Sequence, residues 1–182
     1  MQTFLDENKH LEFTFNDNQE ILQYDQSRFY RNKLQHSNSW IKAVDFLCRD
    51  EYLQQSFLIE VKDYWQLEGR DAQGHKKRET AEKLAVTISR KVFETISGLF
   101  IATFSPHCDD EERKFASRFI NYPLRIVFHY ELPARWSEEM RKQRMADMKQ
   151  KLKRKLRVID SSLQVEDLTT ANNWSVRRIP PR

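Results

Sequence analysis

A chain of 182 residues, 39% hydrophobic and 32% charged, is long enough to bury a core and is read as one domain spanning 1–182; twelve Phe and four Trp argue against disorder. No apolar run approaches the ~18 residues of a membrane span, the first nine residues lack the basic-then-apolar pattern of a secretory signal, and two cysteines, Cys48 and Cys108, are too few for a disulfide framework, so no membrane association and a reducing cytoplasm are expected. The formal net charge of +4 conceals a local excess, nine Lys or Arg against one acid, Asp147, over 141–157, which is the pattern of a phosphate-binding stripe.

In chain order, residues 11–15 alternate as a strand does, and Asp17-Asn18 reads as a turn. Residues 24–34 have strand character through Phe29, Tyr30 and Leu34, and 36–39 are a loop. An apolar strand over 41–47 carries Asp45. A polar loop over 50–55 precedes a second strand over 57–62, carrying Glu60 and Lys62. Residues 66–77, with Gly69 and Gly74, form a basic, flexible connection. Leu84, Ala85, Ile88, Val92, Ile96 and Leu99 recur at three and four, which predicts a helix over 79–100 that Gly98 ends or weakens. A short helix over 109–119, a strand over 124–130 and, after Pro133, a long helix from Ser137 to about residue 158 follow. Residues 165–182 give no clear pattern. This order predicts an α/β fold with a mixed sheet flanked by helices.

The chemistry concentrates on two strands. Glu60 and Lys62 are two apart and share a face, while Ile59 and Val61 point into a core. With a hairpin turn centred on 51–54, Arg49 opposes Ser56 and Asp45 falls opposite Glu60, at ~4.5–5.5 Å between Cβ atoms. Two carboxylates that close repel unless a cation lies between them. Magnesium (or manganese) suits such a site, since it takes one or two carboxylates and completes its octahedron with water. Asp45, Glu60 and the Val61 carbonyl are the expected ligands. Lys62 is placed to orient the attacking water and stabilise charge on a phosphate. Lys42, shortly before Asp45, contacts a phosphate or neutralises the acids. His107-Cys108-Asp109-Asp110 reads as a helix start rather than a zinc site.

Asp45, fourteen intervening residues, then Glu60-Val61-Lys62 resembles the PD-(D/E)XK nuclease superfamily over about 26–132; Val44 stands where that pattern often has proline. Of four acid-x-Lys triplets, starting at Glu7, Glu60, Glu112 and Asp147, only the one at Glu60 lies in a strand preceded by an acid-bearing strand. The resemblance implies a restriction-endonuclease-like core and a metal-dependent endonuclease or exonuclease, with Asp45, Glu60 and Lys62 catalytic. It implies a further acid from a helix before the first strand, for which Glu20 and Asp25 are equal candidates. It also implies a basic residue facing the substrate from the long helix, for which Lys91 is the candidate; as a helix residue, Lys91 reads also as part of a solvated face. By analogy, such a chain is the cutting subunit of a restriction, repair or phage-defence system, as a homodimer or in a larger assembly.

The long helix is amphipathic, with an apolar seam at Met145, Met148, Leu152, Leu156 and Ile159. Its basic faces, through Lys149, Lys151, Lys153, Arg154 and Lys155, are expected to bind nucleic acid, DNA before RNA. The competing reading is a non-catalytic module that keeps the fold and binds nucleic acid or a protein partner.

Overall fold

The computed structural model describes residues 1–65 and 80–180. The chain opens with strands β1 (Gln2–Leu5), β2 (Leu11–Phe15) and β3 (Gln19–Gln23), then a 3-10 turn (Tyr24–Gln26) and a π-helical turn (Tyr30–Gln35). Strands β4 (Phe46–Asp50) and β5 (Gln55–Asp63) follow, then helices α1 (Ala81–Phe104) and α2 (Asp110–Ile120), strand β6 (Leu124–Glu131), helix α3 (Glu138–Leu156) and strands β7 (Gln164–Glu166) and β8 (Ser175–Arg178). The order β3-β4-β5-β6-β7 makes a mixed sheet, antiparallel from β3 to β5 and parallel from β5 to β7. Parallel pairing of β5 with β6 requires a crossover connection, and α1 and α2 lie within it. A second, antiparallel sheet has the order β1-β2-β8. The expected class, α/β with a mixed sheet flanked by helices, is the one observed.

Side chains alternate across β4 and β5. Leu47 and Leu58 join one core with Leu84, Ile88 and Val92 of α1, Phe119 of α2 and Leu152 of α3. Phe46, Cys48, Phe57 and Ile59 join another with Phe13 and Phe15 of β2 and with Trp174. Helices therefore cover one face of the mixed sheet and the small sheet covers the other. Strands buried on both faces read as continuous apolar runs, which is why β4 and β5 stand out in the sequence.

Several expectations are corrected. Residues 24–34 are helical turns rather than a strand, packed against α1. A Cβ at Gly98 would lie 2.5 Å from Tyr24 Oη and 2.8 Å from Leu34 Cδ1, so the glycine permits this close approach and α1 runs on through it to Phe104. The segment around Glu20, expected as a helix bearing the further acid, is instead the edge strand β3, with Ile21 and Leu22 packing on opposite faces. The strand predicted over 41–47 begins only at Phe46: the N–H groups of Lys42 and Val44 donate to Glu94 Oε2 (2.6 Å) and Thr95 Oγ1 (3.0 Å) of α1, so they are not available to a neighbouring strand. Asp50, predicted in a loop, is the buried last residue of β4, held by Gln19 Nε2 at 2.8 Å and the Leu53 N–H at 2.8 Å. The basic connection over 66–77 lies outside the described residues. In α3, Met148, Leu152 and Leu156 are buried, with Met145 and Ile159 packed beside them. Among the described residues no helix is long and apolar enough to cross a membrane.

Candidate active site

On the helix-covered face, near the C-terminal end of β5, side chains from three elements converge. Phe46 opposes Ile59 and Arg49 opposes Ser56; carried one residue past the end of β4, this register sets Asp45 against Glu60. The Asp45 backbone is pinned on both sides, its N–H donating to the Ile59 carbonyl at 3.1 Å and its carbonyl accepting from the Tyr24 N–H at 3.0 Å. Its carboxylate is fixed by the Val61 N–H, which donates to Oδ2 at 2.6 Å. Val61 thus reaches the site through its amide hydrogen as well as lying between Glu60 and Lys62.

Glu60 is the hub. Lys91 Nζ donates to Glu60 Oε1 at 2.7 Å and Oε2 at 2.8 Å, and Lys62 Nζ lies 2.8 Å from Oε1. Lys91 Nζ also lies 3.6 Å from Asp45 Oδ1, so its ammonium sits between the two carboxylates. Side-chain exposure rises from 2% at Glu60 through 12% at Asp45 and 16% at Lys91 to 25% at Lys62. The acids are inside and the ammonium groups at the mouth.

Burial, and after it the Glu60 carboxylate, pushes the Asp45 carboxyl up to about 7 against the pull of Lys91, Lys62 and the Val61 N–H. Burial opposes charge on Lys62, but Glu60 and Asp45 outweigh it and hold the ammonium above its ordinary range. Asp25, in the 3-10 turn, belongs to the same electrostatic group: burial raises its carboxyl, and Gln26 and Lys91 partly offset this. Its Oδ2 accepts from Gln26 Nε2 at 3.0 Å, while its buried Oδ1 has no hydrogen-bond partner.

Of the two further acid candidates, Glu20 is elsewhere. It opposes Arg49 in β3–β4, four residues and so ~13 Å along the strand from Asp45, and pairs with Arg49 (3.6 Å) and Arg118. Lys42 is exposed, held by its backbone rather than gathered into the cluster. On α3, Lys149 and Arg154 are exposed and Lys153 half-buried, whereas Lys151 pairs with Asp147 and Lys155 with Glu82 at 2.7 Å. Lys91 turns out to bind Glu60 directly. The signal was present: Leu84, Ile88, Lys91 and Thr95 recur at helical spacing, placing a lysine beside an apolar stripe.

Tyr130 opposes Lys62 in β5–β6 and its hydroxyl accepts from Arg144 Nε at 3.3 Å. Arg144 in turn lines an open pocket with Trp136, Met140, Gln143 and Asp147. Arg144 of α3 thus reaches the sheet at Tyr130, the strand neighbour of Lys62.

The opposite face of the same strands carries a group that the sequence reading missed. His129 is fully buried, with Nε2 3.0 Å from Glu131 Oε1 and Nδ1 3.7 Å from Glu166 Oε1, neither in hydrogen-bond alignment. Burial works against its charge, but Glu131 and Glu166 outweigh it and raise the imidazole's proton affinity. Arg178 joins Asp63 (3.0 and 3.2 Å) to Glu131 (3.3 Å). The alternation of Phe128 and Tyr130 with His129 and Glu131 was its sequence signal.

The carboxylate oxygens of the first cluster are hard donors of the kind magnesium takes, and the Lys62 and Lys91 ammonium groups would have to give way to such an ion at Glu60. Asp45 Oδ1 accepts no hydrogen bond from a described residue and lies 3.6 Å from the Lys91 ammonium, so it keeps lone pairs open to a ligand. Among the described residues no three His, Cys, Asp or Glu side chains gather closely enough to hold an ion alone; two carboxylates completed by water is the magnesium arrangement. No protein-family model matches the chain, and neither a curated protein nor a solved structure matches it.

Proposed function

We propose that the protein is a metal-dependent nuclease of the PD-(D/E)XK type, hydrolysing phosphodiester bonds in DNA in preference to RNA. The observation that carries this reading is the convergence of Asp45, Glu60, Lys62 and Lys91 from the approach to β4, from β5 and from α1. An isolated surface ion pair needs no such assembly, and burying it is costly.

Asp45 and Glu60 would hold magnesium or manganese, with the Val61 carbonyl as a further ligand. When bound, the ion supplies Lewis acidity and a water of lowered pKa. The remaining work falls to the chain. The Val61 N–H keeps Asp45 aimed into the site. Lys62, charged and nearest the mouth, orients the attacking water and stabilises negative charge developing on the phosphate. Lys91 compensates the acids before a substrate arrives. Lys42, Lys149, Lys153 and Arg154 would contact the phosphate backbone, with Arg144 of α3 on the side towards Tyr130. In this reading the chain is the cutting subunit of a defence, restriction or repair system.

One observation favours a second reading. Both oxygens of Glu60 already accept from Lys91, as they would in a non-catalytic module whose acids serve only to neutralise lysines. Incubation with DNA and RNA substrates, single- and double-stranded, with Mg²⁺ or Mn²⁺, separates the two. Cleavage lost in Asp45→Ala is expected for the nuclease; binding without cleavage on every substrate selects the module.

A further inference from the structure

The outward face of α1 is apolar beyond what a solvated helix carries. Val86, Phe93, Phe100, Ile101 and Phe104 are 49%, 46%, 60%, 48% and 70% exposed. From Phe93 to Phe104 the exposed positions are Phe93, Ser97, Phe100, Ile101 and Phe104, none of them charged. Val86, Arg90, Phe93, Ser97, Phe100 and Phe104 step by four and three, which is the spacing of a seam that packs against another helix. The Phe100 and Phe104 rings already touch, with centroids 5.0 Å apart. None of these side chains serves the core, which α1 meets through Leu84, Ile88, Val92 and Leu99. Contiguous exposed apolar surface of this kind marks an interaction site.

The charges at its two ends select the occupant. Beside the N-terminal end of α1 stand Lys83, which is exposed, and the basic end of α3, brought there by the Lys155–Glu82 pair at 2.7 Å. Just beyond the C-terminal end lie Asp109, Asp110 and Glu111, all exposed. With basic groups flanking one end of the apolar face and acidic groups beyond the other, an inverted second copy brings opposite charges towards each other.

We propose that two copies of this chain associate through α1, crossing antiparallel about a two-fold axis at Ser97. Such a contact is isologous, with each residue before Ser97 meeting one the same distance after it. Phe93 then meets Ile101 of the second copy and Arg90 meets Phe104. Ser97 is small where the helices cross, which lets the axes reach the usual ~8–10 Å. Aromatic side chains bury ~150–250 Å² each, so these half-exposed groups offer on the order of 400 Å² per copy. That is about half of the ~800 Å² per partner of a standard interface, and the charged ends extend it. A reversible, micromolar dimer is expected. Lys91 lies on the inner side of the same helix, so both candidate active sites stay open. The inference is independent of the nuclease reading.

Sedimentation equilibrium on the full chain tests it. The wild-type protein should reach twice the 22.0 kDa chain mass at micromolar concentration, and Phe100→Glu/Phe104→Glu should remain at the single mass with unchanged circular dichroism and melting. Ser97→Cys should form an interchain disulfide on mild oxidation. Arg90→Cys/Phe104→Cys should also cross-link, and Lys83→Cys alone should not. A wild-type protein that stays monomeric throughout overturns the proposal. So does self-linkage of Lys83→Cys, which requires parallel helices, or co-sedimentation of the wild type, but not the Phe variant, with phosphatidylcholine vesicles, which assigns the face to a lipid surface.

Discussion

Strand β5 carries charge on both faces, and the two clusters it joins are built to different ends. On the helix side, Asp45, Glu60, Lys62 and Lys91 grade from a 2% exposed acid to a 25% exposed lysine, and the Asp45 carboxyl is pushed up to about 7. On the small-sheet side, Asp63, His129, Glu131 and Glu166 are all 4% exposed or less, with Arg178 over them. Glu60 and Asp63 are three residues apart in one strand, yet one faces an open mouth and the other a closed lid. Charge buried in a sheet is therefore no sufficient sign of a site. What separates the clusters is access, and whether the carboxylates' charge is answered by groups that can also meet a substrate.

The largest effect should come from opening the closed cluster. Glu131 accepts from the Leu168 N–H at 2.8 Å and stands against His129 and Arg178. Glu131→Ala removes the nearest carboxylate of buried His129 and leaves Arg178 with Asp63 alone, and should cost ~3 kcal/mol in urea unfolding. A loss below ~1 kcal/mol would mean that the cluster is no structural clamp. Gly98→Ala comes next. Its methyl group must displace the Tyr24 ring or Leu34, costing ~1–3 kcal/mol, and should disturb the turn bearing Asp25; a neutral or stabilising effect would show that this segment yields easily. Asp45→Asn should have the opposite sign. It relieves a buried carboxylate beside Glu60 while its carbonyl still accepts from Val61, so unfolding at neutral pH should become harder by about 1 kcal/mol. A destabilised Asp45→Asn would show that the acid serves the fold.

The smallest effect is in pH. The folded imidazole of His129 is raised above its unfolded value, so its contribution is complete below pH ~6.5 and is lost as pH rises through the folded value. Stability at pH 6 minus stability at pH 9 should be larger in the wild type than in Glu131→Gln, measured by urea titration. Equal differences would place the imidazole outside the clamp.

Much of the first cluster was legible because its signals are local. Alternation places Glu60 and Lys62 on one face, and a tight turn at 51–54 sets the register that brings Asp45 across. The helical stripe of α1 and the seam of α3 were likewise plain. What escaped depends on distant partners. Residues 24–34 look strand-like because Phe29, Tyr30 and Leu34 are apolar, but their packing under α1 at Gly98 decides their form. The small sheet joins β2 to β8 across most of the chain, so neither strand announces the pairing. The clamp around His129 needs Glu166 and Arg178, which lie in the segment with no readable pattern.

The sharpest measurement is a side-by-side rate. Single-turnover cleavage of the best substrate in Mg²⁺ should be compared for wild type, Lys62→Ala and Glu131→Gln below their melting temperatures. Lys62→Ala should lose ~10²–10³ in rate while staying folded at the assay temperature, and Glu131→Gln should melt earlier and cut within a few-fold of wild type. A Lys62→Ala protein that cuts like the wild type, with contaminating nuclease excluded, would contradict the assignment of the open cluster as the catalytic one.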